Sequence, residues 1–310
     1  MIRIYSAFVL LGIFWGSNFI YMKWASALIT SGQISLLRVF FGFAPLAALA
    51  CWKGVFRFGQ IRYLHHFAMM AAFATAFSYF AMAHGTALLP SGIAGVLGAS
   101  PALFTAIASG VFLRQERVNR MMGAGVLLGI VGIVLIARPW ASAGSDGAIS
   151  ALGVGWMLAG SMAFGLSYVY VRRYLSAIRL PPLAIVTWQM GLALVMLACL
   201  TDLHGMGRIV QDWKAATGLV FGLGLLGTGG AFLLYYYLLD QLGAVAAASA
   251  VYVTPVVALL IGWWVGERVG LLELIACVMI FGSIALLELG RQAGARQQAE
   301  PVARSTVSFD

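Results

Sequence analysis

The stretch Gly85-Thr-Ala-Leu-Leu-Pro-Ser-Gly-Ile-Ala94 leads to Ser100-Pro101 and then to Glu116-Arg117-Val118. In the second half Leu239-Asp-Gln-Leu-Gly-Ala-Val-Ala246 leads to Thr254-Pro255 and then to Glu267-Arg268-Val269. The same pattern therefore stands once in each half, and each copy lies inside a long apolar run. Working outward, the chain offers ten such runs: 4–22, 33–52, 67–86, 92–113, 121–137, 152–171, 183–200, 215–239, 244–265 and 270–287. Each fits the roughly 17–25 residues that cross a ~30 Å hydrocarbon core at 1.5 Å per residue. The expected fold is an all-α integral membrane bundle of ten transmembrane helices, built as two five-helix repeats.

Composition supports this. Of 310 residues, 62% are hydrophobic and 9% charged, whereas soluble domains carry about a quarter charged. The connections are short and leave no room for a soluble catalytic domain. Ala25-Ser26-Ala27 resembles a signal cleavage site, but the preceding run is long for a signal and carries Trp15, Ser17 and Asn18, so cleavage is not expected. The net charge of +9 invites a nucleic-acid reading, which the placement of the charges opposes. With a cytoplasmic N-terminus, Arg3, Lys53, Arg57, Arg62, Arg114, Arg117, Arg120, Arg172, Arg173, Arg179, Arg291, Arg296 and Arg304 all face inward. That two-to-one excess follows the positive-inside rule and puts both termini in the cytoplasm. Cys51, Cys199 and Cys277 lie far apart in apolar runs, which suits neither a disulfide framework nor a metal site.

The expected organisation is a first repeat over 1–140, a linker at 141–150 with Ala-Gly-Ser-Asp-Gly composition, a second repeat over 151–289 and a disordered cytoplasmic tail over 290–310. Five spans per repeat is an odd number, so the second repeat crosses in the opposite sense. The halves also align at Gly16 with Gly165, Tyr21 with Tyr170, Lys23 with Arg172, and Arg38 with Gln189. The match is imperfect: fifteen positions separate Pro101 from Glu116, and twelve separate Pro255 from Glu267.

Gly12-Ile-Phe-Trp15-Gly16-Ser17-Asn18-Phe19 through Lys23, Arg38-Val-Phe-Phe-Gly, and the paired proline helices ending in Glu-Arg together resemble the EamA family of the drug/metabolite transporter superfamily. The resemblance covers about residues 5–289. It departs at the longer Leu113-Arg-Gln-Glu turn and in the loosely matched sixth helix. It implies two pseudo-symmetric halves around a central cavity lined by helices one, three, four, six, eight and nine, with helices five and ten at the periphery or at a dimer contact. It also implies a carrier of amino acids, other metabolites or drugs, and does not choose among them.

The residues suggest where chemistry could sit. Pro101 and Pro255 fall near mid-membrane, and each removes a helical hydrogen bond to the carbonyl four residues earlier, Leu97 or Val251. Such breaks occur in lipid where protein or a wet cavity satisfies the carbonyl, so both are candidate hinges. Arg38 is a permanent cation inside a span. It serves either as an anion clamp or as a structural arginine near the outer interface, bonding carbonyls or pairing with Glu267 or Glu273; helix two is usually peripheral in the family, which favours the structural reading. Trp15 and Asn18 share a face of helix one, and Asn18 would either meet substrate or bond a neighbouring helix. Tyr79, Tyr168 and Tyr252 lie deeper than the belt tyrosines Tyr235 to Tyr237 and are the better substrate-binding candidates. His84 is a further candidate, able to titrate near neutral pH, though its place near a helix end suits a structural role.

Three function classes compete. A carrier working by alternating access fits best, with efflux of a small amphipathic, amino-acid-like compound as the expected activity and uptake as the alternative. An intramembrane enzyme would need clustered acids or histidines, which the spans do not offer; no catalytic residue, metal or cofactor is expected. A channel would show flux that does not saturate. The expected partners are a small-molecule substrate and the lipid bilayer, not nucleic acid, with the chain acting as a monomer or homodimer in a bacterial inner membrane.

Overall fold

The computed structural model describes residues 2–112, 119–138, 149–178 and 180–306. Every regular element among them is helical. The apolar segments are α1 (Arg3–Ser26), α2 (Ser31–Trp52), α3 (Gly59–Leu88), α4 (Ser91–Phe112), α5 (Arg120–Ala137), α6 (Ala151–Leu175), α7 (Pro182–Leu200), α8 (Trp213–Leu239), the shorter α9 (Ala250–Trp264) and α10 (Leu271–Ala293). Nine of these, all but α9, are long and apolar enough to cross a bilayer. The protein is an all-α integral membrane bundle.

Local chemistry sets several helix starts. Thr30 opens α2 with a reciprocal cap: its Oγ1 accepts the Gln33 N–H at 3.3 Å, and Gln33 Oε1 accepts the Thr30 N–H at 3.1 Å. Asn119 Oδ1 takes the Met122 N–H of α5, and Ser150 Oγ takes the Gly153 N–H of α6. The 141–150 linker and the Leu113–Val118 turn fall largely or wholly outside the described residues. The backbone of the final helix continues to Thr306, into the segment expected to be disordered. The Ala, Arg and Gln residues that follow Arg291 favour helix strongly, and that propensity acts without an apolar period.

The packing pattern shows the duplication. α1 lies on α9 as α6 lies on α4, α1 on α8 as α6 on α3, and α2 on α8 as α7 on α3. The pairs α2–α7, α4–α9 and α5–α10 exchange into themselves. That is a pseudo-two-fold relation between two five-helix halves, as in inverted-repeat transporters. At the α1–α9 crossing, a side chain at Gly16 would strike Val257 and the Thr254 carbonyl; at the α6–α4 crossing, one at Gly165 would strike Phe104 and the Pro101 carbonyl. Glycine at both places lets the paired helices approach closely. α5 and α10 pack together, while Leu127, Val131, Leu274 and Val278 on their outer sides stay exposed.

Two departures from plain α-helix recur under the same exchange. α3 and α8 carry widened, i to i+5 turns at Ala71–Phe77 and Gly218–Gly230, a distortion often found at functional sites. α4 is interrupted between Leu97 and Pro101, and a tight turn at Ser249–Tyr252 precedes Pro255. The Leu97 carbonyl, denied its helical donor by Pro101, accepts the Ser100 N–H at 3.0 Å and Ser161 Oγ of α6 at 3.3 Å.

Candidate functional site

Successive spans alternate in direction, so the bundle has a near end, where α1 begins, and a far end, where α1 gives way to α2. Arg38 is roughly 10 Å from the far-end start of α2 by helical rise. It is only 7% exposed. Its Nε donates to Thr228 Oγ1 of α8 at 3.0 Å, and that hydroxyl donates to the Leu223 carbonyl at 2.9 Å across the widened turn. The guanidinium carbon sits 3.8 Å from the centroid of the Tyr79 ring of α3, within cation–π range.

The expected pairing of Arg38 with Glu267 or Glu273 is not formed. Glu267 accepts the Ser91 and Gly92 N–H groups at 2.7 and 2.9 Å, where a carboxylate suits the exposed donors and dipole of the α4 N-terminus. Glu273 pairs with Arg138 at 2.6 Å. Both acids are held at the far end by nearer partners. In the other half, Gln189 of α7 donates to Thr75 Oγ1 of α3 at 2.8 Å. The Arg38–Thr228 bond thus has a neutral counterpart under the pseudo-two-fold.

Tyr168 of α6 is 48% exposed and lies within electrostatic range of Tyr79 and Tyr235. Its ring meets Phe164 at 5.2 Å, and Tyr235 of α8 meets Trp15 of α1 at 6.1 Å. Arg38 with Tyr79 and Trp15 with Tyr235 make ring contacts, and Tyr168 lies within electrostatic range of both tyrosines, so the five residues form a polar and aromatic cluster drawn from both halves.

The other candidates lie elsewhere. Asn18 is buried and turned toward α8, its Nδ2 donating to the Gly227 carbonyl at 3.2 Å. Tyr252 donates to Glu288 of α10 at 2.8 Å. His84 is near the far end, hydrogen-bonded through Nδ1 to Ser31 Oγ at 3.3 Å and packed between Phe80 and Trp156. Pro101 and Pro255 flank the α4–α9 pair. Thr228 and Tyr235 escaped the sequence reading. The repeat held a signal for Thr228, since it matches Thr75, while Tyr235 stands beside two further tyrosines and looks like part of an interface belt.

A duplicated helical bundle with a polar and aromatic cluster between its halves belongs to the class of multi-pass membrane transporters. The EamA-like transporter family matches residues 2–138 and 151–289, one match for each half, and the chain belongs to that family. It is 25% identical over 262 residues to the uncharacterized transporter YdfC of Bacillus subtilis, covering 84% of this chain and 82% of that one. It is 28% identical over 206 residues to the uncharacterized inner membrane transporter YedA of Escherichia coli, covering 66% and 63%. A solved structure titled only as the crystal structure of a protein superposes with a TM-score of 0.60 at 19% identity, over 92% of this chain and 98% of that one. That likeness is one of fold.

Proposed function

We propose that the chain exports a small amphipathic, amino-acid-like metabolite by alternating access, with both termini in the cytoplasm. The observation that carries this reading is the cluster of Arg38, Tyr79, Tyr168, Tyr235 and Trp15, drawn from both halves. Substrate sites of inverted-repeat carriers lie at the interface of such halves, and the lining there is aromatic with polar tips, which suits an amphipathic body. Outward transport is preferred because such a lining fits a range of compounds to be cleared. Both proline breaks are read as hinges. Glu267, joining the α9 exit to the α4 start, holds the far end closed, so the conformation is taken as inward-facing. A monomer or homodimer is proposed as the working unit.

The test is counterflow in proteoliposomes with a panel of radiolabelled amino acids, aromatic acids and amines. Saturable uptake stimulated by the same compound trapped inside is expected for at least one member. Non-saturating flux would replace the carrier with a channel, and absence of flux across the panel would remove the carrier reading for these compounds. Everted vesicles accumulating the compound against its gradient would establish export.

A further inference from the structure

We infer that the Arg38 guanidinium is the charge-recognition point between the two halves, and that the carried compounds bear a carboxylate. The inference rests on the transport reading above and narrows it to a substrate class. Among the described residues no carboxylate forms an ion pair with Arg38: Glu267 is held by Ser91 and Gly92, Glu273 by Arg138, and Glu288 by Arg291 and Tyr252. Among the described residues only Nε of Arg38 is engaged in a hydrogen bond, and its two terminal nitrogens make none yet are not fully buried. A permanent cation within a membrane bundle is costly unless a partner arrives.

The pseudo-two-fold shows what the charge is not for. Gln189 makes the matching bond to Thr75 with a neutral amide, so joining helix two to the widened helix of its partner repeat does not require a cation. Arginine at position 38 adds to that bond a positive charge and a planar pair of free donors, which match a carboxylate in two parallel hydrogen bonds. Tyr79 lies under the guanidinium and near Tyr168, so an anion at the fork would have its apolar body among the aromatic rings. One cation in a low-dielectric site balances one negative charge. A dianion would remain half uncompensated, which favours a carboxylate over a phosphate monoester.

The test uses purified protein, with phenylacetate and phenylacetamide as probes of equal shape and different charge, and binding read by tryptophan fluorescence and thermal stabilisation. Wild type should bind the acid at least tenfold more tightly than the amide. Arg38→Gln, which installs the residue of the other repeat, should reduce that preference to within twofold. Arg38→Lys should keep the preference at about threefold to tenfold lower affinity, and serves if the glutamine variant does not fold. Equal binding of acid and amide by wild type, or a preference that survives in Arg38→Gln, would overturn the inference. Acid-selective binding that depends on Arg38, in a protein showing no counterflow with the panel, would keep the anion site and remove the carrier reading instead.

Discussion

Tyr168 and Asn18 differ in what surrounds them, and that difference separates two kinds of mutant. Tyr168 is about half exposed and within electrostatic range of Tyr79 and Tyr235. Tyr168→Phe keeps the ring and removes one hydroxyl, and one neutral hydrogen bond to substrate contributes about 0.5–1.5 kcal/mol. Its half-saturation concentration in counterflow should therefore rise from a few-fold to roughly tenfold, with thermal stability unchanged. Asn18 is buried, and its amide nitrogen is spent on the Gly227 carbonyl while Oδ1 has no partner among the described residues. Asn18→Ala should lower the melting temperature and leave half-saturation within twofold of wild type. A change in affinity without a change in stability would return Asn18 to the substrate site.

At the scale of the helix, Pro101 and Ser161 act as a pair. Pro101 cannot donate to the Leu97 carbonyl, and Ser161 Oγ supplies one of the two bonds that carbonyl receives instead. Ser161→Ala should cost about 0.5–1.5 kcal/mol of stability. In a Pro101→Ala background the restored helical N–H should shrink that cost toward zero, a coupling that a double-mutant cycle in thermal unfolding will measure. Pro101→Ala alone should stiffen α4 and slow counterflow at matched expression; wild-type flux would make the break a packing kink. The proline and the carbonyl it frees were both legible in the sequence, because backbone chemistry follows from residue identity alone. Ser161 was not, since a serine in a run of small residues reveals its partner only when α6 is laid against α4. The fate of Arg38 was hidden for a related reason: sequence shows which acids exist, and here packing gave Glu267 to the α4 N-terminus and Glu273 to Arg138.

At the scale of the whole molecule, the exchange of helix n with n+5 explains why the ten-segment plan could be read so fully from apolar runs and repeated motifs, while a side-chain cluster drawn from five helices could be read only in part. The same exchange makes a prediction about sidedness. If the halves are inverted, the turn after α4 and the turn after α9 lie on opposite faces of the membrane, although they carry the same Glu-Arg-Val motif. A cysteine introduced at Arg120 should react with an impermeant maleimide only in everted vesicles, and one at Gly266 only in right-side-out vesicles. Labelling of both from one face would contradict the inverted arrangement. Glu267 lies in the second of these turns and joins α9 to α4 through two charge-assisted bonds, each contributing about 1.5–3 kcal/mol. In Glu267→Gln neither bond is charge-assisted and the amide nitrogen cannot accept from a backbone N–H, so one of the two is lost; on the proposed transport reading this should shift the far end toward opening. A cysteine at Ile93, buried behind that contact, should then label from outside about tenfold faster or more, as expected when roughly 1.4 kcal/mol is removed from the closed state. Unchanged labelling of that cysteine would show that Glu267 only caps α4 and does not hold the two halves together.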